Sequence, residues 1–110
     1  MQIELKEKMR GGKGTVEIQS IFTPEDFKGK SRLIAKVSVN PGCSIGMHEH
    51  DGEEEIYYVL RGEAILTDST LDEDVSLKPG DASLTLGGQS HAIRNEGNEI
   101  LEFVAIILLY

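Results

Sequence analysis

The chain has 110 residues, with 11 Lys and Arg against 19 Asp and Glu, three His, one Cys and no Trp, for a formal charge of −8. That length suits one domain, residues 1–110, able to bury a core without help from a disulfide or a metal. The lone Cys43 has no intrachain partner, which points to a reducing compartment. The longest nearly unbroken apolar run, 103–110, is too short to cross a bilayer, and the start MQIELKEKMR has no apolar segment of signal-peptide type. A soluble cytoplasmic protein without a membrane partner is therefore expected.

The charge is divided unevenly. Residues 1–36 carry eight bases and five acids, whereas residues 37–110 carry three bases and fourteen acids. An acidic body repels phosphate backbones, so no nucleic-acid partner is expected. The early bases are interleaved with acids and lack aromatic neighbours, and they read as solvated surface.

In chain order, Val-, Ile-, Leu-, Tyr- and Thr-rich segments predict strands over 15–22, 32–39, 55–60, 63–67, 75–77, 83–86, 91–95 and 99–109. Turn signals separate them: Gly29, Asn40-Pro41-Gly42, Arg61-Gly62, Lys78-Pro79-Gly80, Gly87-Gly88 and Asn95-Glu96-Gly97-Asn98. Only 24–28 suggests a helical turn. Many short strands between turns are the pattern of an all-β sandwich or barrel.

Alternation assigns the faces, because successive strand side chains point to opposite sides of a sheet. In 32–39, Leu33, Ala35, Val37 and Val39 face one way and Arg32, Lys36 and Ser38 the other. The strand at 55–60 and the last strand are apolar on both faces, so something must cover the outside. A homodimer packed through these surfaces is expected; the alternative is cover by an N-terminal strand of the same chain.

All three histidines lie in two short segments. His48 and His50 are two apart, so on an extended strand both imidazoles project from one face. Glu55 opens the next strand after a turn through Gly52, and His91 opens a later one. Three neutral imidazoles and one carboxylate form an N3O set for one divalent transition metal ion, with coordination positions left open.

These residues resemble the cupin motifs. Gly42, His48, His50, Glu55 and Gly62 fill the first motif, at 42–62, and Gly80, Gly88, His91 and Asn95 match the second, at 80–95, with Leu86 where proline is usual. The resemblance implies an all-β fold, a single-domain cupin β-barrel of jelly-roll type, with the metal inside one end and commonly a homodimer. Among the adjacent acids, Glu55 shares parity with Tyr57 and Val59 and has the family spacing to Gly62. Glu54 points to the opposite face and Glu53 falls in the turn.

Tyr57 shares the face of Glu55. It is a candidate catalytic residue that would donate a proton or orient a substrate, or else a core aromatic with a satisfied hydroxyl. Cys43 has no basic sequence neighbour to activate it, Met47 reads as packing on the opposite face, and Gly11-Gly12-Lys13-Gly14 lacks the phosphate-loop pattern. Arg61 has the parity of Glu55 but sits roughly 20 Å along the strand, and Arg94 has the wrong parity relative to His91. With no base placed to clamp a dianion, oxalate-type chemistry is disfavoured against a neutral or singly charged substrate.

The expected function is a small metalloenzyme of dioxygenase, isomerase or decarboxylase type acting on a small-molecule substrate in the barrel. The alternative is a non-catalytic cupin module that binds a small ligand or holds metal. Iron would suit a dioxygenase, and manganese, nickel or zinc the other chemistries; the N3O set accepts any of them.

Overall fold

A computed structural model describes residues 2–110. Ten strands alternate with tight turns: β1 (Ile3–Glu7), β2 (Thr15–Phe22), β3 (Ser31–Val39), β4 (Ser44–Glu49), β5 (Glu53–Arg61), β6 (Ala64–Asp68), β7 (Val75–Leu77), β8 (Ala82–Thr85), β9 (Ser90–Arg94) and β10 (Leu101–Leu109). A 3₁₀ turn, Met9–Gly11, joins β1 to β2. The strands form a six-stranded sheet in the order β1-β2-β3-β10-β5-β8 and a four-stranded sheet in the order β4-β9-β6-β7, with every pairing antiparallel. This is a jelly roll, as expected, whose two sheets are not closed into one hydrogen-bonded ring.

The core lies between the inner faces. Val16 and Ile18 of β2, Ala35, Val37 and Val39 of β3, Tyr57 and Val59 of β5, and Phe103 and Ala105 of β10 meet Ile45, Leu66 and Ile93 of the smaller sheet. The alternation expected for β3 holds in direction, although Ile34 adds an apolar residue to its outer face and Ser38 on that face is buried. Asn95 of the second motif is buried where β9 ends. Its amide donates to the carbonyls of Val39 and Glu99, and its Oδ1 accepts from Gly97 N–H, so it closes the turn into β10. Leu86, in place of the usual proline, uses the N–H that proline lacks: it donates to Gln89 Oε1 at 2.9 Å.

Four register shifts, each a bulge, re-aim side chains that simple alternation would misplace. On β4, Ile45 pairs with Ile93 but His48 pairs with His91, so the extra residue lets Ile45 and His48 share the inner face. On β3, Arg32 is the unpaired residue between Ser31 and Leu33. On β5, Leu60 is extra between Val59 and Arg61, and Arg61 pairs with outward Glu102; the parity between Arg61 and Glu55 drawn from the sequence is therefore broken. The fourth lies on β2 between Ser20 and Phe22.

Other expectations change as well. Segment 24–28 forms a hydrogen-bonded turn, not a helix: Asp26 N–H donates to the Thr23 carbonyl and Thr23 N–H donates back to Asp26 Oδ2. Met47 is half exposed rather than packed, because the β4 bulge leaves it outside. β1, absent from the expected strands, adds to the edge of the larger sheet beside β2, so it does not cover the outside. There Ile34, Ile106, Ile56 and Leu84 form one apolar row in register across β3, β10, β5 and β8. No helix among the described residues is long and apolar enough to cross a membrane.

Candidate metal centre

β4, β5 and β9 bring His48, His50, Glu55 and His91 together, with one ligand atom of each within 4.8 Å of the others. His48 and His91 are cross-strand partners. His50, one residue past β4, stays extended because its N–H donates to the Gln89 carbonyl and its own carbonyl accepts from Gly88 N–H. Glu55, one position into the inner face of β5, places Oε1 at 2.9 Å from His50 Nε2 and 3.0 Å from His91 Nε2. The His91 Nε2 atom lies 3.0 Å from that of His50 and 3.2 Å from that of His48.

The outer ring nitrogens decide which electrons point inward. His48 Nδ1–H donates to the Gly46 carbonyl at 2.8 Å, and His50 Nδ1–H donates to Glu53 Oε2 at 2.7 Å. Both acceptors lack a proton to give, so both neutral rings must carry hydrogen on Nδ1 and a lone pair on Nε2. His91 Nδ1 meets the Thr85 hydroxyl at 2.7 Å, which can accept the same way. Three Nε2 lone pairs and a carboxylate oxygen then converge on one point, a repulsive arrangement for neutral protein atoms and a coordinating one for a divalent cation. The donor set therefore fits the expected metal, and partners on the outer nitrogens orient and tune such ligands.

Titration follows the same geometry. Desolvation holds the His48 imidazole below its ordinary pKa, while a hydrogen bond that only the protonated His50 ring can donate to Glu55 raises the His50 pKa against the effect of burial. Burial acts upward on Glu55, but the bonds and charges of His50 and His91 outweigh it and keep the carboxyl below the usual range. Glu53, expected in the turn, instead opens β5. It is held at about 2, first by Arg32, whose Nε and Nη2 donate to its two oxygens at 2.8 Å each, and then by His50. Sequence parity could not show this role, because it depends on the bulge at Arg32.

Tyr57 follows Glu55 on the same face, stacks on the His91 ring at 4.8 Å and sets its hydroxyl 3.4 Å from His91 Nε2. Its phenol is pushed well above its ordinary pKa by burial and then by the Glu55 charge, so it stays protonated.

A cavity of about 310 Å³ opens in front of the cluster, at the small end of the range for small-molecule sites. His48, His50, Glu55 and Tyr57 line it together with Lys6, Arg10 and Arg32. Three of the early bases thus reach the site, which corrects their reading as plain solvated surface and the expectation that no base stands near the metal. Arg61 and Arg94, the two bases considered from the sequence, do not line it; Arg94 pairs with Asp74 instead. The signal was hidden because β1 and the 3₁₀ turn bring Lys6 and Arg10 over the pocket from far away in sequence.

A profile of the cupin domain matches residues 35–107. The chain belongs to the cupin family. Among cupins it is 48% identical over 101 residues to the oxalate-binding protein of Thermotoga maritima, covering 92% of this chain and 82% of that one. A crystal structure of a predicted oxalate decarboxylase from Thermotoga maritima superimposes with a TM-score of 0.93 at 44% identity, over 100% of this cupin and 94% of that chain. An uncharacterized protein of Methanocaldococcus jannaschii is 33% identical over 88 residues, 79% of this chain and 68% of its own.

Proposed function

We propose that this cupin, as one domain, binds a divalent transition metal ion through His48, His50, Glu55 and His91 and holds on it a small carboxylate ligand of oxalate size. The observation that carries the proposal is the convergence of three Nε2 lone pairs and Glu55 Oε1, with two tautomers locked from outside. When bound, the ion supplies a Lewis-acid centre with coordination positions left open. The chain's own residues shape the remaining space, and of the three bases that line it Arg10 supplies unpaired positive charge, Lys6 and Arg32 being paired with Glu4 and Glu53. The name of the 48% identical relative supports a carboxylate ligand. Elemental analysis and calorimetric titration with oxalate test this: one metal per chain and saturable oxalate binding only in the loaded protein are expected. Unchanged metal content in both His50→Ala and His91→Ala would overturn the ligand assignment.

A catalytic reading is favoured by Tyr57. Loss of carbon dioxide from a bound acid leaves a carbon that must gain a proton, and Tyr57 presents a neutral buried hydroxyl beside His91. Tyr57→Phe should then retain ligand binding while carbon dioxide release falls at least 100-fold; equal release from both proteins would remove Tyr57 from that role.

A further inference from the structure

We propose that Arg10 is the residue that makes this site select a dianion over a monoanion, by taking the charge of the ligand's second carboxylate; the inference rests on the metal and carboxylate reading above. Three cations line the cavity, and two are already neutralised. Lys6 Nζ lies 3.0 Å from Glu4, and Arg32 forms the two-pronged pair with Glu53. Arg10 has no ion pair or side-chain hydrogen bond among the described residues. With those pairs cancelled, the dipositive ion and Arg10 against Glu55 leave a formal +2, which a dicarboxylate balances. Without Arg10 the remaining +1 matches a monocarboxylate.

The backbone that presents Arg10 is built for that position. Lys8 and Arg10 both adopt left-handed conformations, at φ 50° and 54°, which non-glycine residues seldom hold without tertiary support. Support comes from β4, the strand that carries His48. Lys13 and Ser44 exchange two hydrogen bonds of 2.9 Å, Met9 packs on the core, and Gly12 and Gly46 let the two backbones approach so closely that a Cβ on either would strike the other segment. The loop from Lys8 to Gly14 is closed by a hydrogen bond from Lys8 N–H to the Gly14 carbonyl. Arg10 is thus anchored to the same strand as a metal ligand.

The test compares oxalate with glycolate, two-carbon acids that both chelate through two oxygens but carry two charges and one. Zinc-loaded full-length protein, Arg10→Gln and Arg10→Lys would be titrated with each by calorimetry, alongside zinc content and circular dichroism. The expected result is that Arg10→Gln weakens oxalate binding at least tenfold and glycolate less than threefold, while Arg10→Lys recovers part of the oxalate affinity. An oxalate-to-glycolate ratio unchanged within twofold in Arg10→Gln overturns the proposal and leaves the carboxylate reading intact. Loss of zinc or of fold in both variants also overturns it, since Arg10 would then be supporting the cluster itself. If wild-type loaded protein binds neither acid, the underlying reading fails and this one with it.

Discussion

Glu53→Gln removes one charge and almost no volume, and it tests whether the outer contacts of the cluster govern metal binding. Glu53 accepts from His50 Nδ1 at 2.7 Å and from two Arg32 nitrogens at 2.8 Å each. Glutamine offers one acceptor oxygen and one NH₂, so one of these donors must face another donor. With the oxygen at the Oε1 position beside Arg32 Nε, the NH₂ takes the Oε2 position that His50 Nδ1 and Arg32 Nη2 share, and His50 loses both its orientation and the enhancement of its basicity. Losses of this kind weaken metal binding about 10- to 100-fold, or roughly 1.4–2.7 kcal/mol. A second signature is pH. The Glu53 carboxyl lies at about 2 in the folded protein against an ordinary 4.5, chiefly because of Arg32. A depressed carboxyl stabilises the fold above its unfolded value, and that contribution drains away as pH falls from about 4.5 towards 2. The full shift would amount to about 3 kcal/mol, and the half-exposed Arg32 side chain reduces it to about 1–2 kcal/mol. Wild type should therefore exceed Glu53→Gln by that margin at pH 6, with the gap closing near pH 2. Urea unfolding of the metal-free proteins across this range and zinc competition against a chromophoric chelator at pH 7 measure the two effects. Zinc affinity within twofold of wild type, together with a pH-independent stability gap, would refute the reasoning.

Metal removal should be visible in stability. At ion concentrations near 100 times the dissociation constant, binding adds about 2.7 kcal/mol, so chelation should lower Tm by roughly 10 °C for a chain of this size; a scanning calorimetry trace unmoved by EDTA would count against a metal held in the native state. Gly46→Ala brings a methyl group against the Arg10 carbonyl, backbone against backbone. Overpacking of this sort costs about 1–3 kcal/mol, to be read from chemical denaturation, and a neutral result would mean that the 3₁₀ turn moves away at no cost. The apolar row of Ile34, Ile106, Ile56 and Leu84 calls for cover, and we propose a second copy of this chain. Sedimentation equilibrium should show a dimer at micromolar concentration that Ile106→Glu converts to monomer; a wild-type monomer would dismiss it.

What could be read from the sequence were the features set by local repetition. Alternation of period two marked most of the strands, including β2 and β7 with their observed bounds, because strand side chains alternate whatever the strand pairs with. The two motifs singled out His48, His50, Glu55 and His91, since two residues two apart on extended chain share a face and a turn of set length carries the next strand onto the facing sheet, where Glu55 meets them. Only tertiary structure decided the rest. Bulges break alternation by one residue and depend on the partner strand, so the outward turn of Arg61 and the link from Arg32 through Glu53 to His50 could not be counted from parity. Arg10 lies 38 positions before His48 in the chain, and no periodicity connects them. Its place at the pocket follows from two glycines that let backbones meet and from a left-handed turn that only packing against β4 can hold. The sequence by itself therefore determined which atoms could hold a metal, while the tertiary structure determined which charges stand beside it, because charge at a site depends on distance through space and not along the chain.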